Sequence, residues 1–384
     1  MKKNTLFGFA LFGLLLCSIC LSCKQETPKK EELSAITGTE SVAKGFEIEQ
    51  AMGYKILHIR NPWPGEAVHY RYAVLPENTG IELPSGEFDG VVQLPLKRIV
   101  VTSTTHIPAL EELGALDRLV GFPGVKYISS AAANTRIKNG QIKEIGPNGQ
   151  LNVEEVLALQ PDVVIGYGMG PDNRSFEALQ RAGVPVVLNG DWTETHPLGK
   201  AEWIRFFGLF LDKEEEADEY FTALGQRYKE AKELVSSTEN KPLVLSGAVF
   251  KDVWYAPAGE SWAATFLRDA GADYLWKEEK GTGSLSLSLE EVLTKGSKAQ
   301  AWVAPSQFTS YTALKESSVH YSALPAFQNK KVFTFSKTKG EGGGVLYYEL
   351  APYQPDVVLK DLIHLLHPEV LPDYQPFFFL PLDP

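Results

Sequence analysis

Cysteine is scarce in this sequence, and its three cysteines all lie near the start, at positions 17, 20 and 23. Because no cysteine follows Cys23, the rest of the chain has neither a disulfide nor a thiolate nucleophile. About 340 residues remain, which is enough for two domains of ordinary size. Their stability must therefore come from the packing of apolar side chains rather than from covalent cross-links.

The sequence also lacks the motifs of common hydrolases and metalloenzymes. The nearest approach to a Gly-x-Ser-x-Gly elbow is Gly259-Glu-Ser-Trp-Ala263, in which the second glycine is missing. The seven histidines show no His-Glu-x-x-His spacing, and no third ligand stands near His364 and His367. We therefore expect no enzyme, no catalytic residue, no metal site and no resident cofactor, with a hydrolase kept as an alternative from another class.

Clusters of basic residues are absent as well. The 37 Lys and Arg residues are outnumbered by 48 Asp and Glu residues, and the net charge is −11. A nucleic-acid partner is therefore not expected, because such partners are bound by grouped positive charge.

The first 23 residues have the pattern of a bacterial export signal. Two lysines precede an apolar run from Leu6 to Leu16, which is shorter than the roughly 20 residues that span a bilayer. Ser22-Cys23 resembles a bacterial lipobox. We therefore expect a signal peptide over residues 1–22, lipidation of Cys23 and a flexible tether over residues 23–45. The predicted location is the periplasm, in a lipoprotein held at the membrane by its lipid anchor.

The body of the chain shows two different hydrophobic patterns. Residues 46–75 alternate between apolar and polar, which predicts an antiparallel β-meander. Short apolar strands then alternate with helices, which predicts parallel sheets that are buried on both faces. A stretch rich in Glu, Lys, Ala and Leu at 198–237 predicts one linking helix. The expected domains are an N-terminal lobe at 46–197 and a C-terminal lobe at 238–384.

The order of these segments resembles the class III periplasmic substrate-binding proteins of ABC importers, the family that serves siderophores, haem and cobalamin. Arg98-Ile-Val-Val-Thr-Ser opens the likeness, and Asn152-Val-Glu-Glu-Val-Leu-Ala-Leu-Gln-Pro-Asp-Val-Val-Ile is its most specific part. Pro355-Asp-Val-Val-Leu-Lys-Asp-Leu-Ile closes it, so the likeness covers about residues 97–366. It implies an α/β fold of two Rossmann-like lobes with parallel-rich central sheets, joined by a single long helix, with a ligand cleft between the lobes. The N-terminal β-meander is an addition to that pattern.

The resemblance also indicates which residues face the cleft, because open α/β sheets place ligands beyond the carboxyl ends of their strands. Aromatic faces with a few hydroxyl groups suit a flat, partly apolar ligand. Tyr167 matches a cleft aromatic residue of the cobalamin-binding members. The expected ligand contacts are Ser103, Thr104, His106, Tyr127, Tyr167, Met169 and Trp192 in the first lobe, and Phe250, Trp254, Trp262, Phe308, Tyr311 and Tyr347 in the second.

A permease is the second partner that the resemblance implies. In this family one carboxylate from each lobe pairs with arginines of the permease. Glu260 matches the second-lobe position, and Asp172 is the first-lobe candidate because the matching position itself is Asn173. The expected function is capture of an iron complex (siderophore or haem) or cobalamin by a monomer, with delivery to an ABC permease that carries a cytoplasmic ATPase. A lipid-anchored scavenger or sensor without an importer is the alternative. Few cations near the cleft disfavour a catecholate, whereas haem stays open because Tyr167 and His106 are potential iron ligands.

Overall fold

The computed structural model describes residues 41–65, 67–147, 149–168 and 170–384. The predicted signal peptide and the lipidation site Cys23 lie outside the described residues, as does the candidate ligand contact Met169. Within the described ranges, no helix combines the length and the hydropathy that crossing a bilayer requires.

The last residues of the predicted tether are hydrogen-bonded to the first lobe. The amides of Val42 and Ala43 each donate to the carboxylate of Glu202 at 2.7 Å. The amide of Gly45 donates to Glu194 Oε1 at 2.8 Å. Both glutamates are buried. Their carboxylates provide hydrogen-bond acceptors for these backbone amides. Residues 42–45, which precede the predicted lobe boundary at residue 46, therefore contact the first lobe.

The predicted β-meander is present, and one strand extends it. The first three strands pair in antiparallel fashion, and the fourth pairs parallel to the third. Leu57, Ile59 and Val74 on its inner face are buried in the core of the first lobe. The strands are β1 (Phe46–Gln50), β2 (Lys55–Arg60), β3 (His69–Leu75) and β4 (Gly90–Gln93).

The first lobe is built on a parallel sheet, as the alternation of strands and helices predicts. Its strand order is β7-β6-β5-β8-β9, and every pair in it is parallel. The carboxyl ends of these strands therefore lie along one edge of the sheet. The elements are β5 (Ile99–Val101), β6 (Leu119–Phe122), β7 (Lys143–Glu144), β8 (Val163–Tyr167), β9 (Val186–Asn189), α1 (His106–Glu112), α2 (Ala131–Lys138), α3 (Val153–Ala158) and α4 (Arg174–Arg181).

The linking segment contains a long helix, but shorter helices precede it. They are α5 (Pro197–Ala201) and α6 (Trp203–Leu211), followed by the 20-residue α7 (Glu214–Glu233). All nine residues of α6 are buried, as its nearly uninterrupted apolar sequence requires. Asp212 ends α6 in the left-handed conformation, at φ 56°. Phe221 of α7 packs in the core of the first lobe and Tyr228 in that of the second, so α7 connects the two cores.

The second lobe contains two sheets. The larger has the strand order β13-β10-β15-β16-β17, parallel except for the last strand, and the smaller is the antiparallel β11-β12-β14. Two parallel-rich lobes around separate cores confirm the predicted fold class. The strands are β10 (Leu243–Ser246), β11 (Ala248–Phe250), β12 (Val253–Pro257), β13 (Asp273–Tyr274), β14 (Ser284–Leu287), β15 (Ala301–Val303), β16 (Val332–Thr334) and β17 (Leu380–Pro381). The helices are α8 (Trp262–Asp269), α9 (Leu289–Gly296), α10 (Tyr311–Ser317), α11 (Pro325–Gln328), α12 (Leu346–Leu350) and α13 (Pro355–Leu366).

Candidate ligand-binding site

A cavity of about 820 Å³ lies between the two lobes and is lined by residues of both. On the side of the first lobe, its wall follows the carboxyl ends of β5, β8 and β9. On the other side, the wall follows β10, β12 and β15 and includes part of α12. Its volume is in the upper part of the usual range of about 300–1,000 Å³ for small-molecule sites. The strand-end rule therefore locates the main cavity correctly.

Eight of the predicted ligand contacts line this cavity. They share a position at or just beyond a strand end, or on a helix that follows one. Contact with a ligand stays a prediction for each of them. The eight are Ser103, Thr104, Tyr127, Tyr167 and Trp192 from the first lobe, and Phe250, Trp262 and Tyr347 from the second.

His106 does not reach the cavity. It begins α1, is fully buried, and its ring centroid lies 5.5 Å from that of Phe207 in the core. Burial lowers the pKa of His106 to about 4, so the imidazole is neutral near pH 7. Its ring nitrogens therefore lie outside the cavity wall, where a ligand of a haem iron would have to be. The sequence placed it correctly after β5, but the start of α1 turns its side chain inward.

Trp254 is also a core residue rather than a cavity residue. It is fully buried in β12 beside Trp302, and its Nε1 donates to the carbonyl of Ser246 at 3.0 Å. Successive residues of a strand point to opposite faces, so the adjacent Tyr255 lines the cavity instead. The prediction therefore chose the right strand and the wrong face.

The remaining two predicted contacts lie away from the cavity. Tyr311 is buried at the start of α10, where its hydroxyl accepts from the amide of Val332 at 3.0 Å. Phe308 packs against the core of the second lobe. Both follow β15 by several residues, and the chain has left the strand end before it reaches them.

Aromatic rings cover both sides of the cavity. The Tyr167 and Trp192 rings lie 5.8 Å apart, and Nε1 of Trp192 donates to the carbonyl of Gly168 at 3.2 Å. Across the cavity, Tyr347 stacks on Phe335 with ring centroids 4.4 Å apart. Phe335 follows β16, so the strand-end rule had the signal to find it. The lining residue Phe379, from the C-terminal segment, has no comparable signal in the sequence.

Lys200 is the one cationic side chain among the described residues that line the cavity. Its Nζ donates to the backbone carbonyl of Asp191 at 3.2 Å and lies 4.8 Å from the ring of Trp262. Burial lowers the pKa of Lys200, while Asp191 and Glu194 oppose that change. Sequence reasoning missed Lys200, because α5 follows no strand end directly.

Glu349 joins the two lobes beside the cavity. It lies on α12 and accepts hydrogen bonds from the amides of Ser129 at 2.8 Å and Ser130 at 3.2 Å, both in the first lobe. Burial raises the pKa of Glu349 to about 7, although these amides favour the ionised form. The lobes therefore share a buried carboxyl group that titrates near neutral pH.

The glycine-rich loop at residues 340–344 forms a second contact between the lobes. A Cβ on Gly342 would lie 1.7 Å from the carbonyl oxygen of Lys126, and one on Gly340 would lie 2.7 Å from Ser129 Cβ. Any larger residue at Gly342 would collide with backbone of the opposite lobe. The glycines thus permit direct backbone contact across the interface.

The two candidate docking carboxylates are exposed. Asp172 is held by its neighbour Arg174, whose Nε donates to Asp172 Oδ1 at 2.9 Å. Glu260 accepts from the amide of Gly281 at 2.9 Å. Glu260 therefore presents its charge without a cationic partner within 4 Å among the described residues, whereas Asp172 shares its charge with Arg174.

Two α/β lobes with a ligand-sized cavity between them define the class of bilobed solute-binding proteins. The chain belongs to the periplasmic binding protein family, whose model matches residues 99–338. This match confirms the resemblance drawn from the sequence, and it assigns the chain to a family of substrate-binding proteins rather than enzymes. The β-meander precedes the matched region.

Two relatives come from the archaeon Methanocaldococcus jannaschii. An uncharacterized lipoprotein is 26% identical over 345 residues, which cover 84% of this chain and 81% of the relative. An uncharacterized protein is 21% identical over 287 residues, which cover 72% and 84%. The first of these relatives is named as a lipoprotein, and lipidation of Cys23 in this chain stays a prediction.

Solved structures share the fold at low sequence identity. A periplasmic haem-binding protein from Pseudomonas aeruginosa gives a TM-score of 0.56 at 20% identity, covering 76% of this chain and 99% of its own. A periplasmic binding protein from Veillonella parvula gives a TM-score of 0.59 at 16% identity, covering 86% and 97%. At these identities the likeness shows the fold alone.

Proposed function

We propose that the protein captures a metal complex in the interlobe cavity and delivers it to the permease of an ABC importer. The candidate ligands are a ferric siderophore, haem and cobalamin. The observation that carries the proposal is the cavity of about 820 Å³ with aromatic rings on both walls. Such walls suit a large ligand with flat or apolar faces, and the hydroxyl groups between them orient it.

The charges in the wall favour a ligand without high negative charge. Lys200 is the one cationic side chain among the described lining residues, and the acidic residues Asp191 and Glu349 line the cavity as well. A catecholate complex would bring several negative charges into a buried site with one cation, and uncompensated charge is costly to bury. A neutral ferric hydroxamate, haem or cobalamin fits these charges better.

Tyr167 is the candidate contact for the ligand's metal or ring. Tyr167 lines the cavity, and burial raises its pKa, so the phenol is protonated at neutral pH. A protonated Tyr167 serves as a hydrogen-bond donor and an aromatic face. Coordination of haem iron would require the iron itself to displace that proton.

Delivery requires a docking surface on a protein held at the membrane. Glu260 and Asp172 are both exposed. Glu260 matches the second-lobe position that pairs with a permease arginine in the family, whereas Asp172 lies next to the matching first-lobe position, which is Asn173 here. Such pairs chiefly orient the partners and raise the association rate. The ion pair between Asp172 and Arg174 favours the second candidate function, a lipid-anchored scavenger without an importer, because docking would have to replace that pair.

The binding step is tested by tryptophan-fluorescence titration of the full chain in detergent. The probes are haemin, cyanocobalamin, the neutral hydroxamate complex ferrichrome and ferric enterobactin, a catecholate. We expect one of the first three to quench Trp192 and Trp262 saturably. Tyr167→Ala should weaken that binding about tenfold, equivalent to about 1.4 kcal/mol, whereas Tyr54→Ala in the meander should not. Binding of ferric enterobactin alone would contradict the charge argument, and binding of none would contradict the proposed function.

A further inference from the structure

The turn between β2 and β3 inserts a tryptophan into the first lobe. Trp63 is 2% exposed although it lies in a loop, and it does not line the cavity. A Cβ on Gly168 would lie 3.2 Å from Cε3 of Trp63. A Cβ on Gly190 would lie 2.8 Å from Cα of Pro62. Pro62 and Trp63 therefore press against the loops that leave β8 and β9.

These two loops carry the aromatic pair on the first-lobe wall of the cavity. Tyr167 directly precedes Gly168, and Trp192 follows Gly190 by two residues. The carbonyl of Gly168 accepts from Nε1 of Trp192 at 3.2 Å. Gly168 is thus contacted by Trp63 and bonded to Trp192, so a shift of Gly168 would move the ring of Trp192.

Further contacts attach the meander to the same part of the sheet. The hydroxyl of Tyr72 in β3 accepts from the amide of Leu188 in β9 at 3.3 Å. Ring centroids of Trp63 and Tyr70 lie 6.0 Å apart, and those of Tyr70 and Tyr72 lie 6.4 Å apart. This row of rings fixes Trp63 relative to β9, because close-packed side chains transmit displacement.

We propose that Trp63 is a positioning residue for the ligand site: through Gly168 it fixes the Tyr167–Trp192 pair in the geometry that meets the ligand. The inference rests on the proposed function in treating this cavity as the ligand site. It goes beyond that function because it gives a role to the meander, which precedes the family region at residues 99–338.

The test has one readout that needs no ligand. The full chain, in detergent, is labelled with 5-fluorotryptophan, and the ¹⁹F resonance of Trp192 is assigned with Trp192→Phe. Trp63→Ala removes the ring that packs against Gly168, and Gly168→Ala adds a methyl group 3.2 Å from that ring. Trp63→Phe keeps an aromatic ring there. Leu57→Ala is the matched control, because Leu57 is fully buried in β2 and its truncation, like that of Trp63, leaves a cavity in the core of the first lobe.

We expect the Trp192 resonance to shift or broaden in Trp63→Ala and Gly168→Ala, and to stay in place in Leu57→Ala and Trp63→Phe. The Kd of whichever probe binds should rise about tenfold in Trp63→Ala. It should stay within threefold of the wild-type value in Trp63→Phe and within twofold in Leu57→Ala. An unmoved Trp192 resonance in both Trp63→Ala and Gly168→Ala would overturn the inference. So would equal effects of Trp63→Ala and Leu57→Ala. If no probe binds, the proposed function fails, and the resonance still decides the role of Trp63.

Discussion

The buried carboxyl group of Glu349 makes the stability of the protein depend on pH in a defined direction. Glu349 is 2% exposed and accepts from the amides of Ser129 and Ser130 across the lobe interface. Burial raises its pKa from an ordinary 4.5 to about 7, and nearby Glu111 adds to the increase. Glu349→Gln removes the titration while it keeps an oxygen that can accept from one amide.

The direction follows from the protons that each state binds. Between about pH 4.5 and 7 the native carboxyl group is more protonated than the unfolded one, so the free energy of unfolding falls as pH rises. The stabilisation is fully present below about pH 4.5 and is lost as pH rises through 7. A pKa difference of about 2.5 corresponds to about 3 kcal/mol.

Urea unfolding at a series of pH values from 5 to 8 measures this effect. Wild type should lose about 2–3 kcal/mol more than Glu349→Gln over that range. Glu341→Gln is the matched control, because Glu341 lies in the adjacent glycine-rich loop but is exposed and paired with Lys138. Its pH dependence should parallel that of wild type. Parallel curves for wild type and Glu349→Gln, within about 0.5 kcal/mol, would refute the reasoning.

Two other substitutions test the interface and the docking surface. In Gly342→Ala the new Cβ would lie 1.7 Å from the carbonyl oxygen of Lys126, so the two lobes would have to move apart. We expect a wider interlobe angle in small-angle scattering and weaker binding of the probe. An unchanged scattering curve would contradict this expectation. Glu260→Ala and Asp172→Ala, both exposed, should leave the Kd of the probe within about twofold while lowering its uptake by cells several-fold, and unchanged uptake would favour the scavenger function.

Local sequence determined the elements and their order. Asn152 and Ser288 predict helix starts, and their side chains accept from the amides of Glu155 and Glu291 as capping residues do. Short apolar runs bounded by turn residues predicted the strands of both parallel sheets, and strict alternation predicted the meander. These features depend on neighbours within a few residues, so the sequence alone specified them. The order of strands and helices also predicted that the cavity lies at the carboxyl ends of the parallel strands.

Only the tertiary structure decided which side chains form the cavity wall. Trp254 and Tyr255 are adjacent in one strand, and the packing of β12 against the core decided that Tyr255 faces the cavity. Glu349 accepts a hydrogen bond from Ser129, which is 220 residues away in the chain. The sequence around Glu349 contains no pattern that predicts this partner. Trp63 packs against Gly168, a glycine whose missing side chain permits the contact, although more than 100 residues separate them in the chain. Local patterns encode backbone conformation, whereas the wall of an interlobe cavity depends on how two separately packed cores meet.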